Sequence, residues 1–434
     1  MPRYLTLIVI ALVLSVSGGI GLATSPAPQR APAAVPVPGV PAPGQDLTGT
    51  IEALQATLRR LPEDHTAWAS LAVAYVEQGR LTGVPSYYEK ATEAADRSLD
   101  LAPDDNFSGL AASAAIASAR HEFDAALDLA DQSLAINPRG LSALAIRVDA
   151  LTELGRYHDQ LAALRIADRR QPSSAIAARY AYAFELRGEL SRAASVLKSA
   201  ADTGVRSDQS YLLTLFADIQ RRLGRLPQAA QALRVARNAT PDYLPAQVSL
   251  ARLHIARGEP DRAVTVWQGV VAQQPLPEYV TELGELYLHL GRESEARKQF
   301  AVVDATVTLL ESGGVNADLE AALHEADHGS ARRAVRLAAT EWERRHSIHV
   351  ADAYGWAMHQ VGRDVRALEL ARRATALGTP DARFWIHRGS IEAAVGMKGA
   401  ASVHLRRGLA GDPGLSPWQR AQARAVLQEV EGPR

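Results

Sequence analysis

Residues 277–300 read PEYVTELGELYLHLGRESEARKQF, and this stretch decides the fold. Leu283, Gly284 and Tyr287 stand before Gly291, Ala296 stands five residues beyond it, and Phe300 follows four residues later. Residues four apart lie one helical turn along the same face, so Ala296 and Phe300 mark one stripe. Glycine weakens a helix interior by about 1 kcal/mol, so Gly291 marks the place where the chain turns sharply between two helices. The stretch therefore reads as a helix, a tight turn and a second helix.

The pattern recurs along the chain. Glycines fall at Gly155, Gly188, Gly224, Gly258, Gly291, Gly329, Gly362 and Gly396, with intervals of 33, 36, 34, 33, 38, 33 and 34 residues. Five residues beyond them stand Ala193, Ala229, Ala263, Ala296, Ala334, Ala367 and Ala401, with Gln160 the exception. A small side chain there lets two helix backbones approach closely. Four residues further come larger groups, including Leu164, Leu197, Leu233, Trp267, Phe300 and Leu405. Prolines at 103, 138, 172, 241 and 275 stop the second helices. Irregularities are expected around Leu81 to Tyr88, where the first unit carries extra residues, and from Val302 to Val315, where a second helix is extended.

The spacing resembles the tetratricopeptide-repeat family, whose signature is W-x2-L-G-x2-Y, then A-x3-F, then P. Trp68, Leu71, Ala72 and Tyr75 supply its first half in the opening unit, and residues 283–300 reproduce most of it. The resemblance covers about residues 48 to 415 and implies an all-α, right-handed superhelical solenoid of about ten helix-turn-helix repeats with terminal cap helices. Apolar stripes that no single hairpin can bury become one continuous core when neighbours stack. Ile51, Leu54, Leu58 and Leu61 suit an N-terminal cap helix; Ala421, Ala425, Leu427 and Val430 suit a C-terminal one. Three strings, Ala326-Asp327-His328-Gly329, Val350-Ala351-Asp352-Ala353 and Leu377-Gly378-Thr379-Pro380-Asp381-Ala382, are similar to segments of exported bacterial members, which implies a helical binding body outside the cytoplasm.

The rest of the composition is consistent with binding through protein surfaces. Of 434 residues, 47% are hydrophobic and 22% charged, and the net charge is −1. No run of Lys or Arg supplies the electrostatic footprint of a nucleic-acid binder, so nucleic acid is not an expected partner. Without cysteine there are no disulfides, thiolate zinc sites or thiol nucleophiles. Between Arg3 and Arg30 no charge occurs, and Leu5 to Val16 is almost wholly apolar. Residues 1–25 thus read as an export segment, either a cleaved signal peptide or a retained membrane anchor. Residues 26–45 form a Pro/Ala-rich spacer, 46–415 the solenoid, and 416–434 the cap helix and tail. The protein is expected outside the cytoplasm, secreted or anchored, and in membrane contact only through its N-terminal segment.

Such solenoids recognise partners mostly on the concave face, formed by the first helix of each pair. The repeat register places Tyr182, Glu185, Tyr211, Thr214, Asp218, Arg221, Arg252, Thr281, Glu285, Trp356 and His359 there. As a set they read as an exposed, aromatic-containing stripe for a protein or peptide partner of the cell envelope. No cofactor is expected, and no catalytic role. One string offers an alternative: His324-Glu325-Ala326-Asp327-His328 is an H-E-x-x-H, the spacing that sets two imidazoles on a zinc ion with a glutamate base. It implies a metal-binding accessory or a metal-dependent hydrolase centred on His324, Glu325 and His328. No Gly-x-x-His continuation follows it.

Overall fold

The computed structural model describes residues 47–204 and 208–432. Residues 1–46, which include the expected export segment and spacer, and the last two residues lie outside them. Among the described residues there are 22 helices and no strand. Helices α1 (Leu47–Arg60) and α22 (Pro417–Glu431) flank ten hairpins. These are α2–α3 (His65–Thr82, Ser86–Leu101), α4–α5 (Phe107–Ala119, Phe123–Ile136), α6–α7 (Leu141–Glu153, Tyr157–Arg170), α8–α9 (Ser174–Leu186, Leu190–Thr203) and α10–α11 (Gln209–Arg222, Leu226–Ala239). There follow α12–α13 (Leu244–Ala256, Pro260–Gln273), α14–α15 (Pro277–His289, Glu293–Ser312), α16–α17 (Asp318–His328, Ala331–Arg344), α18–α19 (Ile348–Gln360, Asp364–Ala374) and α20–α21 (Ala382–Ala394, Lys398–Ala410). None of the described helices is long and apolar enough to cross a membrane.

The hairpin corners fall on the glycines. Gly155, Gly188, Gly224, Gly258, Gly291, Gly362 and Gly396 all have φ between 71° and 80°, the left-handed corner that L side chains resist. His121, at φ 64°, takes this role between α4 and α5. Gly329 departs from the expected series, with an extended φ of −132°. A Cβ there would lie 2.3 Å from Glu325 Oε2, so this glycine makes room for a side chain instead of a left-handed bend. Beyond each corner, Ala193, Ala263, Ala296, Ala334, Ala367 and Ala401 are fully buried and Ala229 almost so. Gln160 is buried too and donates from Nε2 to Thr152 Oγ1 at 2.7 Å.

The irregularities fall where expected. Helix α2 runs on to Thr82 before α3 starts at Ser86, and α15 extends over 20 residues to Ser312. The caps differ in detail. In α1, Ile51, Leu54 and Leu58 are buried, but Leu61 lies past the helix end and is 49% exposed. In α22, Ala423 is the buried residue, whereas Ala421 and Ala425 face outward.

First helices of the pairs are buried on nearly every side; second helices are buried along one stripe, as in α12 against α13. The inner helices therefore line the axis of the superhelix. Its turns also touch. His121 Nδ1 meets the Asn316 carbonyl at 2.7 Å, Ile348 N donates to Tyr157 Oη at 2.9 Å, Thr379 Oγ1 donates to the Leu186 carbonyl at 2.5 Å, and Gln274 Nε2 donates to the Arg80 carbonyl at 2.5 Å. Arg345 pairs with Glu153 and Arg221 with Asp412. All six contacts join residues 191 to 195 apart. At 34 residues per repeat, one superhelical turn takes about 5.6 repeats. Along this seam a Cβ on Gly155 would sit 2.6 Å from the His346 carbonyl oxygen, whereas Gly258 and Gly291, further along the chain, face open space.

Candidate binding surface along the inner helices

The stripe expected to be exposed is not. Glu185, Tyr211, Thr214, Asp218, Arg221, Arg252 and Glu285 are buried, while Tyr182, Thr281, Trp356 and His359 are half-buried. The physical reason is the seam: with successive turns in contact, the inner helices pack on neighbours in sequence and on those of the other turn.

What the inner helices build instead is a ladder of polar contacts from repeat to repeat. Asp149 of α6 receives Arg179 of α8, Nε to Oδ1 at 2.9 Å. Glu185 pairs with Arg222 of α10 at 2.6 Å. Ser249 of α12 donates to Asp218 Oδ2 at 2.8 Å, and Arg252 pairs with Glu282 of α14 at 2.6 Å. Thr281 Oγ1 lies 3.1 Å from His324 Nδ1, and Glu285 Oε1 lies 3.1 Å from His328 Nε2. Trp356 Nε1 donates to Asp327 Oδ1 at 2.7 Å, and the indole stacks on the His387 ring at 4.1 Å. His387 in turn meets Asp352 at 3.0 Å. Tyr182 Oη reaches across the turns to His349 Nε2 at 2.9 Å. His359 leaves the ladder for Asp364 of its own hairpin, 2.5 Å away. Thr214 bonds back to the Ser210 carbonyl at 2.7 Å, and Tyr211 Oη is buried with no hydrogen-bond partner.

Burial sets the electrostatics of the ladder. It pushes Asp149 up to about 6 and Glu153 up to about 7, against the pull of Arg179 and Arg345. Glu185 is also raised by burial despite Arg222. Asp218 is held below its ordinary value, because burial is outweighed by Arg221, Arg252 and Arg222 together. The sequence reading missed Asp149, Arg179, Arg222, Glu282 and His387. Opposite charges 30 residues apart, as in Asp149–Arg179 and Arg252–Glu282, were the available signal.

The H-E-x-x-H string does not assemble as a metalloprotease centre. Glu325 folds back over the turn, accepting from Ser330 N at 2.6 Å and Arg333 Nη1 at 2.7 Å, so it is not placed as a base between the imidazoles. His324 is turned to Thr281, and burial, then His328, pulls it down to about 4. His328 goes the other way: burial lowers it, but the bond to Glu285 and its charge more than compensate.

At the seam itself lies a cleft of about 650 Å³. Its walls are the α4–α5 corner (Arg120, Glu122, Asp124), the end of α15 and the loop after it (Glu311, Gly314, Asn316), and the end of α17 (Glu343, Arg344). Arg120 Nε is buried in this wall without a hydrogen-bond partner.

Two family models described as tetratricopeptide repeat match the chain, one over residues 50–106 and one over residues 237–422. No curated protein matches it in sequence. Among solved structures it is similar to the Cut9–Hcn1 hetero-tetramer of the APC/C, at 15% identity over 88% of this chain and 82% of that one, with a TM-score of 0.45. A human IFIT1 dimer with m7Gppp-AAAA is 14% identical over 84% of this chain and 86% of the other, TM-score 0.48. A tetratricopeptide repeat protein from Parabacteroides merdae is 19% identical over 60% of this chain and 99% of its own, TM-score 0.34.

Proposed function

The chain belongs to the tetratricopeptide-repeat family, and from that premise we propose that it is a non-enzymatic protein–protein interaction scaffold acting outside the cytoplasm. It is delivered there by residues 1–25 and takes a protein or peptide of the cell envelope as its partner. The observation that carries this reading is the seam cleft. It is large enough to take several side chains of an extended segment, carries both signs of charge, and holds a buried guanidinium nitrogen in need of an acceptor. Side chains of a partner that pair with Arg120, Asp124 and Arg344 would give the contact its specificity. A second reading keeps the inner face. Tyr182, Thr281, Trp356 and His359 retain partial exposure there, and separation of the turns would uncover the rest.

The test is affinity capture from cell-envelope extract with the full chain in non-ionic detergent, beside an Asp124→Lys/Glu311→Lys/Arg344→Glu variant. All three residues are exposed, so the variant should keep the wild-type far-UV circular dichroism. A partner that is held by wild type, lost by the variant, and rebinds when purified supports the cleft. Equal retention by both proteins places the contact elsewhere and returns attention to the inner face.

A further inference from the structure

Helices α14, α16 and α22 converge where the C-terminal helix lies against the preceding superhelical turn. There the carboxylates of Glu285 and Asp327 and the imidazole of His328 bring one ligand atom each within 4.8 Å of one another. We infer that Glu285, Asp327 and His328 form a binding site for a first-row divalent cation, with Zn²⁺ as the natural probe.

The donor set, two carboxylate oxygens and one imidazole nitrogen without sulfur, suits Zn²⁺, Mn²⁺ or Fe²⁺. Ligands at about 2.1 Å around a tetrahedral ion stand roughly 3.4 Å apart. The 3.1 Å between His328 Nε2 and Glu285 Oε1 is already of that order. The side chains are also held in place. His328 is stacked on Phe300 with ring centroids 4.3 Å apart and has Trp418 4.8 Å away, and Asp327 is oriented by the Trp356 indole N–H. Outer contacts of this kind fix ligand geometry in metal sites.

Gln419 gives an independent pointer. Its Nε2 donates to Glu285 Oε1 at 3.0 Å, while its Oε1 is buried with no hydrogen-bond partner. Turning the amide over would point that oxygen at the Glu285 carboxylate, and a cation held between them would take it as a fourth donor. Charge balance points the same way. Two carboxylates gather here around one imidazole, and the neighbouring His387 is already matched by Asp352. A divalent cation would offset the two carboxylates. The site is not the H-E-x-x-H arrangement: it uses His328, leaves out His324 and Glu325, and draws its other ligands from Asp327 and from α14. Metal bound there would tie α22 to α14 and α16.

The experiment uses the full chain in detergent, stripped with a chelator, desalted and titrated with Zn²⁺ by calorimetry, with Co²⁺ in parallel for its visible ligand-field absorption. Expected are one Zn²⁺ per chain and a higher unfolding temperature with the ion than without it. Binding should be weaker by about a hundredfold or more in Glu285→Gln/Asp327→Asn, whose amides keep the shape of the carboxylates, and unchanged in His324→Gln. Circular dichroism checks that each variant is folded. If wild type takes up no stoichiometric metal, or the folded double variant binds as tightly as wild type, the site is overturned. Loss of binding in His324→Gln with retention in the double variant would move the ion to the sequence motif and equally refute the assignment.

Discussion

At His121 the chain asks one residue to do two things. It turns the α4–α5 corner at positive φ, and its Nδ1 meets the Asn316 carbonyl across the seam. Burial, then the nearby Arg345 charge, pulls its pKa down to about 3. Since the unfolded imidazole takes up a proton near pH 6.5 and the folded one does not, the unfolded state binds more protons in between. Stability from this group is therefore present above about pH 6.5 and is lost as the pH falls towards 3. His121→Asn keeps a side chain that tolerates the left-handed corner and cannot titrate. Its urea midpoint should fall less steeply than that of wild type between pH 6.5 and 4.

Arg345 shows the opposite dependence. It is buried between Glu153 and Glu341 and joins the two turns. Arg345→Met leaves the buried Glu153 carboxylate without its cation, while Glu341 keeps Arg344, a loss of about 3–5 kcal/mol. Glu153 is already pushed up to about 7, so acid neutralises it and relieves the variant. The destabilisation should be larger at pH 8 than at pH 5, and equal loss at both would show that Glu153 is not the group left behind.

At the scale of the element, the hairpin rests on small residues at the crossing of its two helices. Ala296 is fully buried at the α14–α15 contact. Ala296→Leu overpacks that contact and should destabilise by roughly 1–3 kcal/mol in urea unfolding. The glycine corners separate into two classes that the sequence pattern does not distinguish. Gly155→Ala and Gly258→Ala both place a Cβ at positive φ, at a strain of about 1 kcal/mol. Only the first drives it into the backbone of the next turn, 2.6 Å from the His346 oxygen. Gly155→Ala should therefore cost measurably more than Gly258→Ala, and equal urea midpoints would mean the seam is open in solution.

For the molecule as a whole, the seam decides which surfaces a partner can reach. Closing one turn in about 5.6 repeats brings residues 191 to 195 apart into contact and turns the concave face into a polar interior. Buried ion pairs contribute little net stability but are expensive to break, so they favour one register of the turns over another. This is why the cleft at the seam, not the inner stripe, carries the proposed contact.

The repeat was legible in the sequence because it rests on local physics. Glycine at a corner, alanine at a crossing and proline at a helix end are each demanded by a few neighbouring residues, and the demand returns every 34 residues or so. The same locality explains why Tyr182 through His359 fall on the first helices of their pairs. Their exposure was not legible, since it depends on the small rotation from each hairpin to the next, summed over five or six repeats. A change of a few degrees per repeat opens or closes the turn, and no residue spells it out. The partners of Arg221 and Glu285 were decided in the same way: the sequence by itself determined which side chains face the axis, and only the tertiary structure brought Asp412 to Arg221, and His328 and Gln419 to Glu285.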